Sequence, residues 1–248
     1  MTHADDLPRL AAGQIRDTLR CPRRVVTWLS PEDRPKPPWH DAPFRLRTAV
    51  VDALRAAHAV VDGGGAEFAT ALDPTVPTDL SVEEGIRFRQ ALIAYADEFG
   101  ERSEPLHPHA GAPLAKVSSS RDFTLTARAD LAFVASDGDG AEVRRVVLRT
   151  RPPRLPTQPD DADLALGALL GTPLLVTRLW TVGEPAVASV NVGHDDVTRF
   201  RGRVHEAIAA AFTTPQKTVS GWWCTTCPAI ARCPAIAQRS VEDVLGDP

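Results

Sequence analysis

The chain has no apolar run long enough to cross a membrane. Its longest mainly apolar stretch, Leu164 to Val176, has 13 residues, against roughly 20 for a spanning helix. It opens Met-Thr-His-Ala-Asp-Asp, without the basic start and apolar core of a secretory signal. Together these absences set the expectation of a cytoplasmic protein. Lysine is nearly missing: only Lys36, Lys116 and Lys217 stand among 28 basic residues, so arginine carries the positive charge. Cysteine is scarce as well, with four residues, and in a reducing compartment clustered thiols bind metal more often than they form disulfides. A net charge of −4 argues against indiscriminate nucleic-acid binding, while 43% hydrophobic and 24% charged residues describe an ordinary globular chain. Within that balance two arginine clusters stand out. Arg9, Arg16, Arg20, Arg23 and Arg24 face one acid, Asp17, and Arg144, Arg145, Arg149, Arg151 and Arg154 have none between them. A solvated charged face is the plain alternative for both.

What is present is a lopsided set of thiols. Cys224, Cys227 and Cys233 form a C-x2-C-x5-C triplet, and Cys21 stands about 200 residues upstream in Leu19-Arg-Cys-Pro-Arg-Arg24. Two cysteines separated by two residues present soft ligands from one turn. Cys21, Cys227 and Cys233 each precede a proline, which fixes the local backbone and removes an amide donor. Four such sulfurs satisfy zinc or a 4Fe–4S cluster equally, and unligated core cysteine is the bland alternative. A clasp closing a loop of this length would remove unfolded-state entropy equivalent to about 5 kcal/mol.

Hydrophobic periodicity sets the element order. Leu7, Leu10, Ala11, Ile15 and Leu19 predict a helix running up to Cys21, and residues 30–43 read as a Pro-rich loop. A second helix spans about Phe44 to Val61; a third starts at the capping box Ser81/Glu84 and ends near Gly100. Phe123–Val134 and Val143–Arg149 read as a strand pair around Asp137-Gly-Asp-Gly140. A short helix over Asp161–Leu170 follows, then strands over Leu174–Val182 and Ala186–Val192, the first apolar enough to be central. Asp195 caps a last helix lined by Val197, Phe200, Val204, Ile208 and Phe212. One α/β domain is expected, with a helical N-terminal part (1–115), an α/β core (116–212) and a C-terminal cysteine segment (213–248).

An N-terminal helix ending in Cys-Pro-Arg-Arg24, this body, and Trp222-x-Cys-x2-Cys-Pro-x4-Cys-Pro234 resemble the iron–sulfur branch of the PD-(D/E)XK nucleases. That branch includes RecB-like and AddB-type repair nucleases and CRISPR adaptation exonucleases. The resemblance implies a restriction-endonuclease-like mixed sheet flanked by helices, and a 4Fe–4S cluster on Cys21, Cys224, Cys227 and Cys233 that clasps the N-terminus. Active members hold one or two divalent ions, Mg²⁺ or Mn²⁺, with a histidine on an early helix, an aspartate, a D/E-x-K and a Q-x3-Y. Asp130 matches the first acid. Val51 stands at the histidine position, Leu148 and Thr150 at those of the second acid and lysine, and Asp163 and Gly167 at those of glutamine and tyrosine. Glu142, Asp52 and His58 are carboxylates or imidazole near enough in sequence to substitute, but their spacing does not point that way.

The expectation is a nuclease-like protein that has lost its cutting site and binds DNA or RNA in a repair, recombination or defence setting. Arg144, Arg149, Arg151 and Arg154 would take the phosphates, giving a salt slope of about −3 to −4 for four contacts. Trp222 and Trp223 either stack on bases or shield the cluster. A structural subunit beside a helicase or nuclease is the second reading, and an active exonuclease with a relocated site the third. His107 and His109, and Ser118 to Ser120, read as loop residues.

Overall fold

The computed structural model describes residues 9–24, 41–62, 68–72, 75–100, 113–117, 124–134, 141–147, 158–180, 186–212, 219, 221, 224, 227 and 233. The chain divides into two compact units, each assembled from separate segments. The first takes Met1–Pro37, Ala115–Thr126 and Asp195–Pro248; the second takes Pro38–Leu114 and Ala127–His194.

A short strand β1 (Arg9–Ala11) leads into α1 (Ala12–Arg20), where helical periodicity had predicted helix from Leu7 onward. The difference has a tertiary cause: β1 pairs in parallel with β3 (Thr124–Arg128), Leu10 opposite Leu125, and Thr126 Oγ1 donates to the Leu10 carbonyl at 3.3 Å. β2 (Pro113–Val117) completes this three-stranded sheet in the order β1-β3-β2. The final helix, α6 (His194–Phe212), buries Val197, Phe200, Val204 and Ile208, the stripe read from the sequence.

The second unit carries a four-stranded mixed sheet in the order β4-β5-β6-β7, formed by β4 (Leu131–Val134), β5 (Ala141–Val147), β6 (Leu174–Trp180) and β7 (Ala186–Val192). The β4–β5 and β6–β7 pairs are antiparallel; β5 and β6 run parallel, so their connection is a crossover, and it contains α5 (Asp161–Leu170). β6 is flanked on both sides, as its apolar sequence requires. The stretch expected as one strand from Phe123 to Val134 is two. It bends at Ala129–Asp130, and β3 and β4 join different sheets.

Side chains alternate across the sheet, which gives its two faces different partners. Leu131, Phe133, Val146 and Leu179 pack with Leu46, Val50, Val51 and Leu54 of α2 (Asp41–Asp62) and with Phe88, Leu92, Tyr95 and Phe99 of α4 (Val82–Phe99). Each large side chain fully buried there contributes roughly 1.5–3 kcal/mol. A one-turn helix, α3 (Phe68–Ala71), lies between α2 and α4 in sequence. Helix α4 starts at the expected capping box: Ser81 Oγ accepts from the Glu84 amide at 3.3 Å and Glu84 returns the bond to the Ser81 amide at 2.9 Å. Those bonds to Ser81 hold the Glu84 carboxyl below its ordinary range.

The opposite face is held by charge. Arg145 of β5 and Arg178 of β6 are direct register partners, so two guanidinium groups leave the sheet side by side. Both donate to the carboxylate of Asp163 on α5, which is 0% exposed. Arg145 also donates to Asp160 Oδ1 at 2.9 Å, and Arg178 to the Gln158 carbonyl at 3.2 Å. Asp160 is in addition the N-cap of α5, accepting the Ala162 and Asp163 amides at 2.9 and 3.0 Å. Burial disfavours the charge of Arg145, and the Asp163 and Asp160 carboxylates more than offset it, so its pKa is raised. Asp160 shows the converse: burial raises its pKa, and Arg145 brings it below the ordinary value. Removing the shared carboxylate strips buried Arg178 of its Asp163 carboxylate and leaves Arg145 to Asp160 alone. Asp163→Asn is therefore expected to lower unfolding free energy by about 3–5 kcal/mol, measured as a lower urea midpoint with an unchanged m-value.

Candidate functional site

Asp130, the acid that the sequence resemblance singles out, sits where the chain turns from β3 into β4 and is 2% exposed. Its Oδ2 accepts the Val146 amide of β5 at 2.9 Å, and its Oδ1 accepts from Arg47 Nη2 of α2. Arg47 Nε then donates to the Val146 carbonyl at 3.2 Å. Asp130 and Arg47 together satisfy both backbone groups of one residue. About two turns along the same helix, Arg55 donates Nε and Nη2 to the Asp130 main-chain carbonyl at 3.1 and 3.0 Å. One residue is thus gripped by two guanidinium groups, one on its side chain and one on its backbone.

The chemistry of this arrangement is that of a lock. A divalent ion requires several oxygen ligands at short range, and each Asp130 oxygen already accepts from a donor inside the fold. Binding an ion there would displace a guanidinium and an amide. Val51, at the histidine position, lies between Arg47 and Arg55 on the same stripe of α2 and is buried in the core. Asp163, at the glutamine position, is the buried anion beneath β5 and β6, and Gly167 is buried one turn later. Leu148 and Thr150 lie outside the described residues.

The other acids and the imidazole have separate partners. Asp52 is 65% exposed and 3.8 Å from Arg55 Nη1. Glu142 Oε1 accepts from Arg144 Nε at 2.9 Å. His58 Nε2 and the Tyr95 hydroxyl are 2.8 Å apart, with Phe133 packed edge-on against the imidazole.

Arg144 requires a correction. Taken from the sequence as a phosphate contact, it is 2% exposed. Its guanidinium carbon lies 3.7 Å from the Phe99 ring centre, 4.0 Å from that of Phe133 and 5.3 Å from that of Tyr95. It also donates to the Tyr95 hydroxyl and pairs with Glu142. Burial opposes its charge, and Tyr95 and Glu142 raise its pKa against that. Faces of aromatic rings attract cations, so this arginine belongs to the core. Arg149, Arg151 and Arg154 lie outside the described residues, as do Trp222, Trp223, His107, His109, residues 137–140 and Ser118 to Ser120.

All four cysteines are free thiols, and all belong to the first unit. Cys21 is buried just past α1, its amide bonded to the Asp17 carbonyl at 3.1 Å. The Gly221 amide donates to Cys224 Sγ at 3.4 Å, and the Cys227 amide to the Cys224 carbonyl at 3.0 Å. Among the described residues no group of three or more His, Cys, Asp and Glu side chains is gathered as a metal-holding set.

No protein-family model matches the chain. No curated protein matches it. Among the solved structures, the one described as "Crystal structure of SSO0001" aligns with a TM-score of 0.42 at 14% identity, covering 94% of this chain and 89% of that chain. A likeness of that size assigns neither a family nor an activity.

Sequence reasoning missed Arg47, Arg55, Arg178 and Tyr95. Arg47, Val51 and Arg55 recur every fourth residue, a spacing that puts two charges on the buried side of a helix and signals a buried acid.

Burial, and then the Arg144 charge, push His58 down from 6.5 to about 4. Between those values the unfolded chain binds a proton that the folded chain refuses, so stability rises with pH across the window and falls as pH drops toward 4. Urea midpoints should therefore drop between about pH 7 and about pH 4.5. The drop should be smaller in His58→Phe, because carboxylate titrations are common to both proteins and the imidazole is not.

Proposed function

We propose that this chain is a DNA-binding protein of the iron–sulfur PD-(D/E)XK branch in which a guanidinium has replaced the catalytic metal. The observation that carries the reading is the Asp130 lock: the retained acid gives both oxygens to Arg47 and the Val146 amide. A carboxylate so engaged contributes structure rather than metal-activated water. The mixed sheet with a helix in its parallel crossover supports the restriction-endonuclease-like part of the reading.

The 4Fe–4S cluster belongs to the same proposal, with Cys21, Cys224, Cys227 and Cys233 as its ligands. Their spacing along the sequence supports it. When bound, the cluster would supply a covalent-like clasp between distant parts of the chain. Nucleic acid is the proposed ligand because arginines without acidic neighbours, Arg149, Arg151 and Arg154, follow directly on β5. With Arg144 removed from the set, three contacts give a salt slope of about −2 to −3. A helicase or nuclease partner would supply any cutting.

The test pairs a cleavage assay with metal analysis. Anaerobically purified protein is expected to be brown and to carry about four irons with matching sulfide per chain; one zinc and no iron would overturn the cluster. Incubated with linear duplex or single-stranded DNA and Mg²⁺ or Mn²⁺, it is expected to retain the DNA in a salt-sensitive complex without shortening it. Cleavage that disappears in Asp130→Ala would overturn the lost site.

A further inference from the structure

We infer that Arg47 and Arg55 form a clamp for a phosphate group at the Asp130 edge of the sheet. For its ligand, a phosphodiester of the DNA backbone, this rests on the nucleic-acid reading above. The two arginines stem from positions eight residues apart on α2, yet both reach Asp130, one at its carboxylate and the other at its carbonyl. Two cationic forks are thereby brought together around a single buried anion.

Their state differs from that of the arginines on β5 and β6. Arg144 and Arg178 are buried and committed to core partners, and Arg145 is largely so. Arg47 and Arg55 each keep 26% of the side chain exposed. Arg55 spends its Nε and one Nη2 bond on the neutral Asp130 carbonyl rather than on a carboxylate oxygen. Its acidic neighbour, Asp52, stands 3.8 Å away and 65% exposed, where water screens the attraction. A guanidinium carries five N–H donors, and the bonds described use only part of each set. The clamp is also held in advance: bonds to Asp130 and Val146 fix both long side chains, which lowers the entropy lost when an anion arrives. Arginine forks pair phosphate oxygens bidentately.

The geometry gives opposite predictions for two neighbouring substitutions. Arg55→Gln is expected to weaken binding of a single-stranded oligonucleotide about tenfold and to reduce the magnitude of the salt slope by about 1. Asp52→Asn, on the exposed side of α2, is expected to tighten binding by roughly twofold to threefold, an effect that a purely structural role would not produce. Titration of the wild-type protein with inorganic phosphate, followed through arginine Nε–H resonances, should move those of Arg47 and Arg55 and leave that of Arg144 in place. If DNA binds but neither variant changes affinity and phosphate moves neither resonance, the clamp is overturned and the DNA-binding reading stands. If phosphate moves both resonances while no DNA binds, the clamp stands and the DNA-binding reading falls. If neither ligand has any effect, both are overturned.

Discussion

A carboxylate taken almost completely out of water keeps its charge only when opposite charge and hydrogen-bond donors come with it. Asp130 is in that position, and β5 and α2 meet its need. The Val146 amide reaches it from β5, and Arg47 reaches it from α2. Because Arg55 then takes the Asp130 carbonyl, helix α2 is tied at two points to Asp130.

The same rule governs the two arginines that follow one another on β5. Alternation sends Arg144 and Arg145 to opposite faces of the sheet, and each meets a different solution. Arg144 enters the aromatic side of the core, between Phe99 and Phe133, with Glu142 as its anion. Arg145 lies beside Arg178, and the pair is tolerable because Asp163 stands between them with Asp160 close by. Acids and bases scattered over the sequence from position 142 to position 178 become local neutral groups. Such buried groups add little net stability over apolar packing but penalise any arrangement that separates them.

The same pairing bears on how the Asp130 corner holds its shape. In a metal site, cations from solution hold carboxylates together. At Asp130 an arginine side chain of the protein supplies the positive charge, so the pairing is self-contained. Arg47 and Arg55 keep part of their side chains exposed at the same edge.

Much of the fold was legible from residue pattern alone. Helix α5, strand β7 and the Ser81 cap of α4 follow from local periodicity and capping chemistry, and the apolar composition of β6 announced its central place. These features depend on neighbours within a few residues, and such information is written in the sequence. The strand β1, the break at Asp130 and the fate of the β5 arginines were not legible. Each depends on a partner far along the chain: Leu125 for Leu10, Arg47 for Asp130, Phe99 for Arg144. The sequence by itself determined that Asp130 stands without a D/E-x-K on the following strand and that three of the four thiols lie within ten residues. Only the tertiary structure decided which cation pairs with Asp130 and which arginine is withdrawn from the surface, because pairing of charges depends on distance in space.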